Sequence, residues 1–332
     1  MEGLKNMQRN FWKNKRVLVT GYEGFLGSHL VNRLIACGAL LTGLDIKTHR
    51  KETILDAGTL KKFRIVKGSV EDYPLLLKIL RNDRTEFVFH LAATSIVGEA
   101  LSRPLKAFST NIKGTWNILE ACRNTRGVRG IVVASSDKAY GIHNKLPYAE
   151  DAALCGSHPY DVSKSCADLL GYTYFHTYNL PVVITRCGNI YGPGDFNFSR
   201  LIPDAMRCLF LNKVLKIRSD GKFIRDYVYI EDIVSGYMKA AELLEKRSLG
   251  GQAFNLSDGK PITVVGLLSK IGELKLHGHK LKYKIMDTAR YEIKKQYLCS
   301  EKAEAVLGWR PRCRIQDGLR KTAEWYAGIF SK

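Results

Sequence analysis

Short apolar runs recur along the chain, and between them lie longer segments in which apolar residues return every three or four positions. The runs at Arg16–Thr20, Leu40–Leu44, Arg64–Lys67, Glu86–Leu91, Ile131–Val133 and Val182–Arg186 are too short for helices and read as strands buried on both faces. Helical spacing follows "GYEGFLGSHL" through about Cys37. It recurs near Tyr73–Leu80, near Phe108–Cys122 and in "HPYDVSKSCADLLGYTYF", which starts at His158. Strands alternating with helices predict an α/β fold, a doubly wound parallel sheet. After Arg186 the pattern changes to "CGNIYGPGDFNFSRLIP", whose Gly, Pro and Asn predict a loop bordering a crevice. The sheet is expected to regain strands near Arg225–Tyr229 and Ala253–Leu256. Residues 1–187, with a returning segment at about 225–257, then form one domain, and residues 188–224 and 258–332 form a smaller α/β lobe. In the tail, a Gly-Trp-Arg-Pro break at Gly308–Pro311 separates two helices, with Trp309 expected to pack.

Composition narrows the partners. The chain has 332 residues and 45% hydrophobic content, enough for a large core. Lys and Arg total 52 against 32 Asp and Glu, a formal net charge of +20, which favours anionic ligands. The basic residues are dispersed and no nucleic-acid motif accompanies them, so a nucleotide diphosphate is favoured over RNA. No apolar run is long enough to span a bilayer. The first ten residues also lack the apolar core of a secretory signal, so a cytoplasmic address is expected. The eight cysteines are scattered, without C-x-x-C or zinc-ligand spacing, and are read as reduced thiols with no metal site.

The first strand runs into Gly21, Gly24 and Gly27, spaced G-x-x-G-x-x-G ahead of a helix. Glycine is required there because a side chain would hold a pyrophosphate away from backbone N–H groups, or the helix away from the strand. The second strand ends in Asp45, where a carboxylate accepts the ribose hydroxyls of NAD; Lys47 and Arg50 nearby leave NADP as the lesser alternative. Farther on, Tyr160 and Lys164 stand four apart and share a helix face. An ammonium beside a phenol favours the phenolate, so Tyr160 is expected to have a lowered pKa and to act as a base, with Lys164 also holding the cofactor's ribose. The stretch "ASSDKAYG" (Ala134–Gly141) places Asp137 and Lys138 just past a buried strand, where open α/β sheets bind ligands.

The order "TGYEGFLG" (Thr20–Gly27), His90-Leu-Ala-Ala93, Asn111-Ile-Lys-Gly114, Ser135-Ser136, Tyr160-x-x-x-Lys164 and "RDYVYIED" (Arg225–Asp232) resembles the extended short-chain dehydrogenase/reductases, in which nucleotide-sugar epimerases and dehydratases predominate. The resemblance runs from about Lys15 to about Tyr326. It implies a Rossmann-type sheet and a cofactor held by Gly21, Gly24, Phe25, Leu26, Gly27, Asp45, Leu91, Ala92, Ala93, Tyr160 and Lys164. For the substrate it implies contacts from Thr94 and Asn189, with Arg200, Arg218 and Arg225 as cations for nucleotide or phosphates. Arginine suits phosphate because its planar fork bonds oxygens in pairs. The resemblance further implies a homodimer through a four-helix bundle built from the helices near Phe108 and Ser163.

The same resemblance frames the reaction. Tyr160 would deprotonate the C4 hydroxyl of a nucleotide sugar while Ser136 hydrogen-bonds the reacting oxygen. A 4-epimerase needs little more. A 4,6-dehydratase needs an acid for the departing C6 hydroxyl and a base for the C5 proton. Family dehydratases place Asp after the serine, followed by Glu, or by Lys in the CDP-glucose type. Ser136-Asp137-Lys138 is similar to the latter, as is "FWKNKRVLVTG" from Phe11; Tyr140-Gly141, Leu26 and His29 depart from it. The expectation is a 4,6-dehydratase of the CDP-glucose or GDP-mannose type, with Asp137 as acid and Lys138 as base or enolate stabiliser. The alternatives are a 4-epimerase and, remotely, a non-catalytic RNA-binding relative. A basic Lys138 requires a depressed pKa, expected from desolvation and from Lys164.

Overall fold

A computed structural model describes residues 10–48, 52–244, 249–274, 280–290 and 292–330; Arg50 lies outside them. The six predicted runs form β1 (Arg16–Thr20), β2 (Leu40–Asp45), β3 (Arg64–Lys67), β4 (Phe87–His90), β5 (Gly130–Ala134) and β6 (Val182–Cys187). Beyond them come β7 (Asn189–Tyr191), β8 (Val214–Ile217), β9 (Ile224–Arg225), β10 (Tyr227–Tyr229), β11 (Ala253–Leu256), β12 (Ile262–Thr263), β13 (Lys282–Ile285) and β14 (Lys295–Gln296). The main sheet has seven strands in the order β11-β6-β5-β4-β1-β2-β3, all parallel.

Alternate residues of β1 serve opposite faces of this sheet, as the strand period demands. Val17 and Val19 pack with Leu30, Val31 and Leu34 of the Phe25–Ala36 helix and with Ile233, Val234 and Tyr237 of the Ile230–Leu244 helix. Leu18 packs with Leu76, Ile79 and Leu80 of the Tyr73–Asn82 helix and with Ile118 and Leu119 of the Gly114–Arg123 helix. Each such side chain contributes about 1.5–3 kcal/mol when fully buried. Trp12 closes the first face; it is fully buried, and its indole N–H donates to Glu242 Oε1 at 2.6 Å.

One expected strand does not join this sheet. Residues 227–229 form β10, which pairs in parallel with β7, while the edge beside β6 is taken by β11, in register Ala253 to Ile184. Gly188, between β6 and β7, makes the detour possible: a Cβ there would lie 2.8 Å from Asp226 Oδ1. A second core gathers Ile202, Met206 and Leu209 of the Leu201–Phe210 helix, Leu267 and Ile271 of the Val264–Gly272 helix, and Leu319, Ala323 and Tyr326 of the Ile315–Phe330 helix. Trp309 packs as expected, 1% exposed, with its indole N–H on Asp232 O at 2.9 Å.

The strand order reverses beside β1, between β2 and β4, so the crevice opens at the carboxyl ends of β1, β4 and β5. All the chemistry-bearing turns leave from those ends.

Candidate active site

The turn after β1 is built around two tight approaches. At Gly21, φ is +72°, and a Cβ would lie 2.8 Å from Ala92 N; at Gly27 it would lie 2.2 Å from Gly21 O. Side chains are therefore excluded at both, at the first to let the β4 loop pass and at the second to seat the helix on the turn. Gly24 differs. Its Cβ would meet only Gly21 O, at 3.2 Å, and as the N-cap of the Phe25–Ala36 helix it offers no capping side chain. That leaves a bare helix start, through Phe25 and Leu26, facing the crevice mouth, which suits a dinucleotide pyrophosphate. Asp45, 6% exposed at the end of β2, accepts from Lys47 N at 3.2 Å, where a ribose would lie in such a fold.

The loop after β4 forms the opposite wall. Thr20 Oγ1 accepts from Leu91 N and Ala92 N, both at 3.2 Å, and bonds His90 Nδ1 at 2.9 Å. Burial and the Lys164 charge push His90 down to about 3, so it is a neutral connector. Past Ala93, Thr94 N donates to Asn111 Oδ1 at 2.7 Å, and Asn111 Nδ2 donates to Ser163 Oγ at 2.9 Å. Asn111 sits in a π-helical turn, Ser109–Lys113, and ties this loop to the helix that carries Tyr160. Its structural task was not evident from its place in a motif.

The third wall carries the reactive groups. β5 ends at Ala134, and after Ser135 and Ser136 the chain makes one tight helical turn, Asp137–Tyr140, capped by Ser136 Oγ, which accepts from Lys138 N at 3.2 Å. Ser136 Oγ donates to Asp137 Oδ1 at 2.9 Å, while Asp137 Oδ2 is buried without a hydrogen-bond partner. On the Pro159–Tyr178 helix, Lys164 is drawn to the sheet by a 2.7 Å bond from Nζ to Ala134 O. Ser136, Asp137, Lys138, Tyr160 and Lys164 thus converge at the end of one strand.

Burial and neighbouring charges set the states of these groups. Burial brings Lys164 down to about 8. Tyr160 does not follow expectation: burial raises its phenol to about 12, a hydrogen bond with Ser136 opposes this, and the Asp137 charge adds to it. The lowered phenol expected from Lys164 is not found, because desolvation of the phenolate outweighs the opposing Ser136 bond and Arg200 charge. Lys138 is lowered, as a base would need, first by burial and then by Arg225, with Asp137, Asp161 and Glu292 opposing. Arg225 therefore supplies the charge that was expected from Lys164. The Lys138 ammonium donates to Gln296 Oε1, a contact across 158 positions of sequence.

The substrate-side residues divide. Asn189 lies half-buried on β7, with Nδ2 donating to Asp226 O at 3.2 Å. Arg200, at the start of the Leu201–Phe210 helix, pairs with Asp195 at 3.0 Å, and its charge reaches Tyr160. Arg218 is exposed and pairs with Glu292 at 3.3 Å. Arg225 departs from its expected grip on a diphosphate. It is 8% exposed, and its guanidinium donates to the carbonyls of Ile224, Ile293 and Lys294, which makes it a clamp on the 293–294 segment. Three residues outside the motif positions also belong here. Asp226 is fully buried, raised to about 7 by burial and the Asp137 charge, and Gln296 is fully buried beside Lys138. Arg186 binds Asp168 through two bonds, 2.8 and 2.9 Å, and donates to Tyr140 OH at 2.7 Å, bracing the Asp137–Tyr140 turn from behind. Among the described residues, no group of His, Cys, Asp and Glu could hold a metal ion, and no helix is long and apolar enough to cross a membrane.

Comparison with known proteins agrees with this geometry. Residues 17–257 match the model of the NAD dependent epimerase/dehydratase family. A CDP-glucose 4,6-dehydratase of Salmonella typhimurium is 30% identical, covering 96% of this chain and 92% of its own. A trifunctional UDP-glucose 4,6-dehydratase/UDP-4-keto-6-deoxy-D-glucose 3,5-epimerase/UDP-4-keto-L-rhamnose-reductase of Arabidopsis thaliana is 29% identical over 94% of this chain, which spans about half (47%) of the plant protein. Among solved structures, a UDP-glucose 4-epimerase of Thermotoga maritima, determined with UDP-glucose, superposes with a TM-score of 0.86 at 27% identity, covering 95% of this chain and 99% of that one.

Proposed function

The chain belongs to the NAD dependent epimerase/dehydratase family, and from that premise we propose that it is a nucleotide-sugar 4,6-dehydratase, converting a nucleoside-diphosphate hexose to the 4-keto-6-deoxy sugar. The observation that carries the reading is the turn after β5, where Ser136, Asp137 and Lys138 stand together beside Tyr160. Simple epimerisation at C4 has no use for an extra acid and base.

The cofactor fits the residues present, because Gly21 and Gly27 allow the turn and Gly24 opens it, with Asp45 at the ribose end. NAD bound there supplies the hydride acceptor for C4 and the donor for C6. Gly24, Phe25, Leu26 and Asp45 would hold its adenosine diphosphate half, Leu91, Ala92 and Ala93 would line its path, and Tyr160 and Lys164 would face the nicotinamide ribose. Thr94, Asn189 and Arg200 border the sugar-nucleotide space. The lobe of residues 188–224 and 258–332 would carry the nucleotide.

Within that frame the protein's own groups have separable tasks. Tyr160, raised to about 12 by burial, must come down from that range to accept the C4 hydroxyl proton. Ser136 hydrogen-bonds the same oxygen. The C4 ketone acidifies C5–H, and Lys138, its pKa lowered by burial and by Arg225, takes that proton and later returns it to C5. Asp137 gives its proton to the C6 oxygen, which leaves as water. Gln296, by accepting from Lys138, fixes where that nitrogen points.

A 4-epimerase is the second reading, favoured by the Thermotoga likeness and by the fact that Ser136, Tyr160 and Lys164 alone suffice for it. We propose a homodimer for either reading. Leu105, Trp116, Leu169 and Tyr172 expose apolar surface on the helices expected to form a four-helix bundle. The deciding experiment offers CDP-glucose, GDP-mannose, dTDP-glucose and UDP-sugars to NAD-loaded protein and weighs the products by mass spectrometry. Loss of water supports the dehydratase, and isomers of unchanged mass refute it. In a dehydratase, Asp137→Asn should slow water loss about 100-fold or more while leaving C4 oxidation measurable.

A further inference from the structure

We infer that Gln296 decides the chemical role of Lys138: an uncharged acceptor in that place holds the lysine nitrogen where it is needed without holding a proton on it. The inference rests on the dehydratase reading and concerns its C5 step. In that step the C5–H bond breaks, its proton goes to the Lys138 nitrogen, and its electron pair enters the C4–C5 enolate. A base for this work faces two opposed demands. Its nitrogen must be fixed, which takes a hydrogen-bond partner, and it must lack a proton when C5 is presented, which a negatively charged partner would prevent.

The first demand is met by anchoring at both ends. The Lys138 backbone is pinned, its N–H donating to Ser136 Oγ at 3.2 Å and its carbonyl accepting from Gly141 N at 3.0 Å, but its four-carbon stem is flexible. Among the described residues, the hydrogen bond that Nζ makes is to Gln296 Oε1. Gln296 is itself held firmly: it is fully buried, and β14 sets it opposite Arg225 of β9. On one side of it, Ile224 N donates to Lys294 O at 2.9 Å, beside the Arg225 bonds to Ile293 O and Lys294 O. On the other, Tyr148 N donates to Tyr297 O at 3.0 Å and Leu298 N to Asp226 Oδ2 at 2.9 Å. Turned over, the amide would set its own N–H groups against those of the ammonium. Nε2, buried with no acceptor among the described residues, selects neither arrangement. Lys138 therefore orients the amide, and the amide fixes the nitrogen.

The second demand is met by charge. Burial lowers Lys138 most, and Arg225 lowers it further; Asp137 on the same turn, Asp161 in the first turn of the Pro159–Tyr178 helix and Glu292 ahead of β14 act the other way. Lys294 and Lys295 of β14 are exposed. To that balance Gln296 adds no charge. A glutamate of the same length would put a full negative charge in hydrogen-bond contact with the ammonium and raise its pKa by about 1–3. Lys138 would then be a fixed cation, able to steady an enolate oxygen but not to make the enolate.

The test compares Gln296→Glu and Gln296→Met with the parent, NAD-loaded, on the member of the CDP-glucose, GDP-mannose, dTDP-glucose and UDP-sugar panel that the parent dehydrates. Elimination needs Lys138 without its proton, so the parent rate should rise with pH through the Lys138 midpoint. Gln296→Glu should move that rise to higher pH by about one unit or more. At neutral pH it should slow C5–H exchange with deuterated water about ten-fold or more and let reduced cofactor build up, since C4 is still oxidised. Gln296→Met, with neither acceptor nor charge, should lower kcat about ten-fold or more with KM little changed, and its rise should not move to higher pH. A second measurement needs no turnover: lysines labelled with 13C at Cε are titrated by NMR, the Lys138 signal assigned by its loss in Lys138→Arg. Its midpoint should be higher in Gln296→Glu than in the parent. Equal midpoints, or coincident pH profiles, overturn the inference and leave the dehydratase reading standing. A Gln296→Met variant within about two-fold of the parent kcat does the same, and stays decisive if the buried glutamate prevents folding. A parent that only isomerises its substrates overturns both.

Discussion

Asp168→Ala should cost the fold more than any surface substitution and should loosen the proposed catalytic turn without touching it. The pair it breaks is buried, with side-chain exposures of 7% for Arg186 and 4% for Asp168, and is bonded in two places. Removing one partner leaves the Arg186 guanidinium inside the protein with only Tyr140 OH and Glu150 O as acceptors. Loss of one member of a buried pair costs about 3–5 kcal/mol. At roughly 2.1 cal/mol/K per residue, unfolding 332 residues carries about 0.7 kcal/mol/K, so Tm should fall by about 4–7 °C. Differential scanning calorimetry measures this. The double variant Asp168→Leu/Arg186→Met removes both charges and should recover much of the loss. Because the Arg186 guanidinium also lies 4.7 Å over the Tyr140 ring, the single variant should lower kcat as the turn holding Asp137 and Lys138 loosens. A Tm within 1 °C of the parent, or a double variant less stable than the single, would refute this reasoning.

Asp45→Asn should weaken NAD binding about ten- to a hundred-fold, the scale of a charged hydrogen bond worth about 1.5–3 kcal/mol, as read by calorimetric titration. Glu242, raised to about 7 by burial, holds its proton in the native state where the unfolded chain has released it near 4.5. Its contribution to stability is therefore full below about pH 4.5 and lost as pH rises through 7. Glu242→Gln keeps an acceptor for Trp12 and should match the parent at pH 4 but exceed it by about 1–3 kcal/mol at pH 8 in urea unfolding. Leu105→Glu with Leu169→Glu should convert the proposed dimer to a monomer in sedimentation velocity; a parent that sediments as a monomer contradicts the bundle.

What was legible from sequence was what is local. The turn from Gly21 to Gly27, the Asp45 terminus of β2 and the helix placing Tyr160 above Lys164 each follow from residues a few positions apart. Charge states and long-range partners were not. The pKa of Tyr160 is governed by burial, and that of Lys138 by burial and by an arginine from β9. Gln296, the acceptor for Lys138, carries no motif and arrives only through the pairing of β14 with β9. The misplaced strand has the same origin. Residues 225–229 have an apolar, aromatic pattern suited to any sheet, and only the competition of β11 for the edge of β6 decides where they pair.

That edge has a consequence for how the protein is made. β11, the last strand of the main sheet, follows β6 by 65 residues of sequence, and the intervening chain includes β7–β10 and the helices of residues 201–210 and 230–244. On a ribosome, β6 therefore emerges with its outer backbone N–H and C=O groups unpaired and its apolar residues, Val182 to Ile184, uncovered. At roughly 5–20 residues per second, this open edge persists for several seconds before its partner exists. An exposed edge of this kind is a template for pairing with another chain. Truncation before residue 253 should accordingly yield aggregates rather than a smaller folded domain, and chaperone dependence should be set by the arrival of four residues, Ala253 to Leu256.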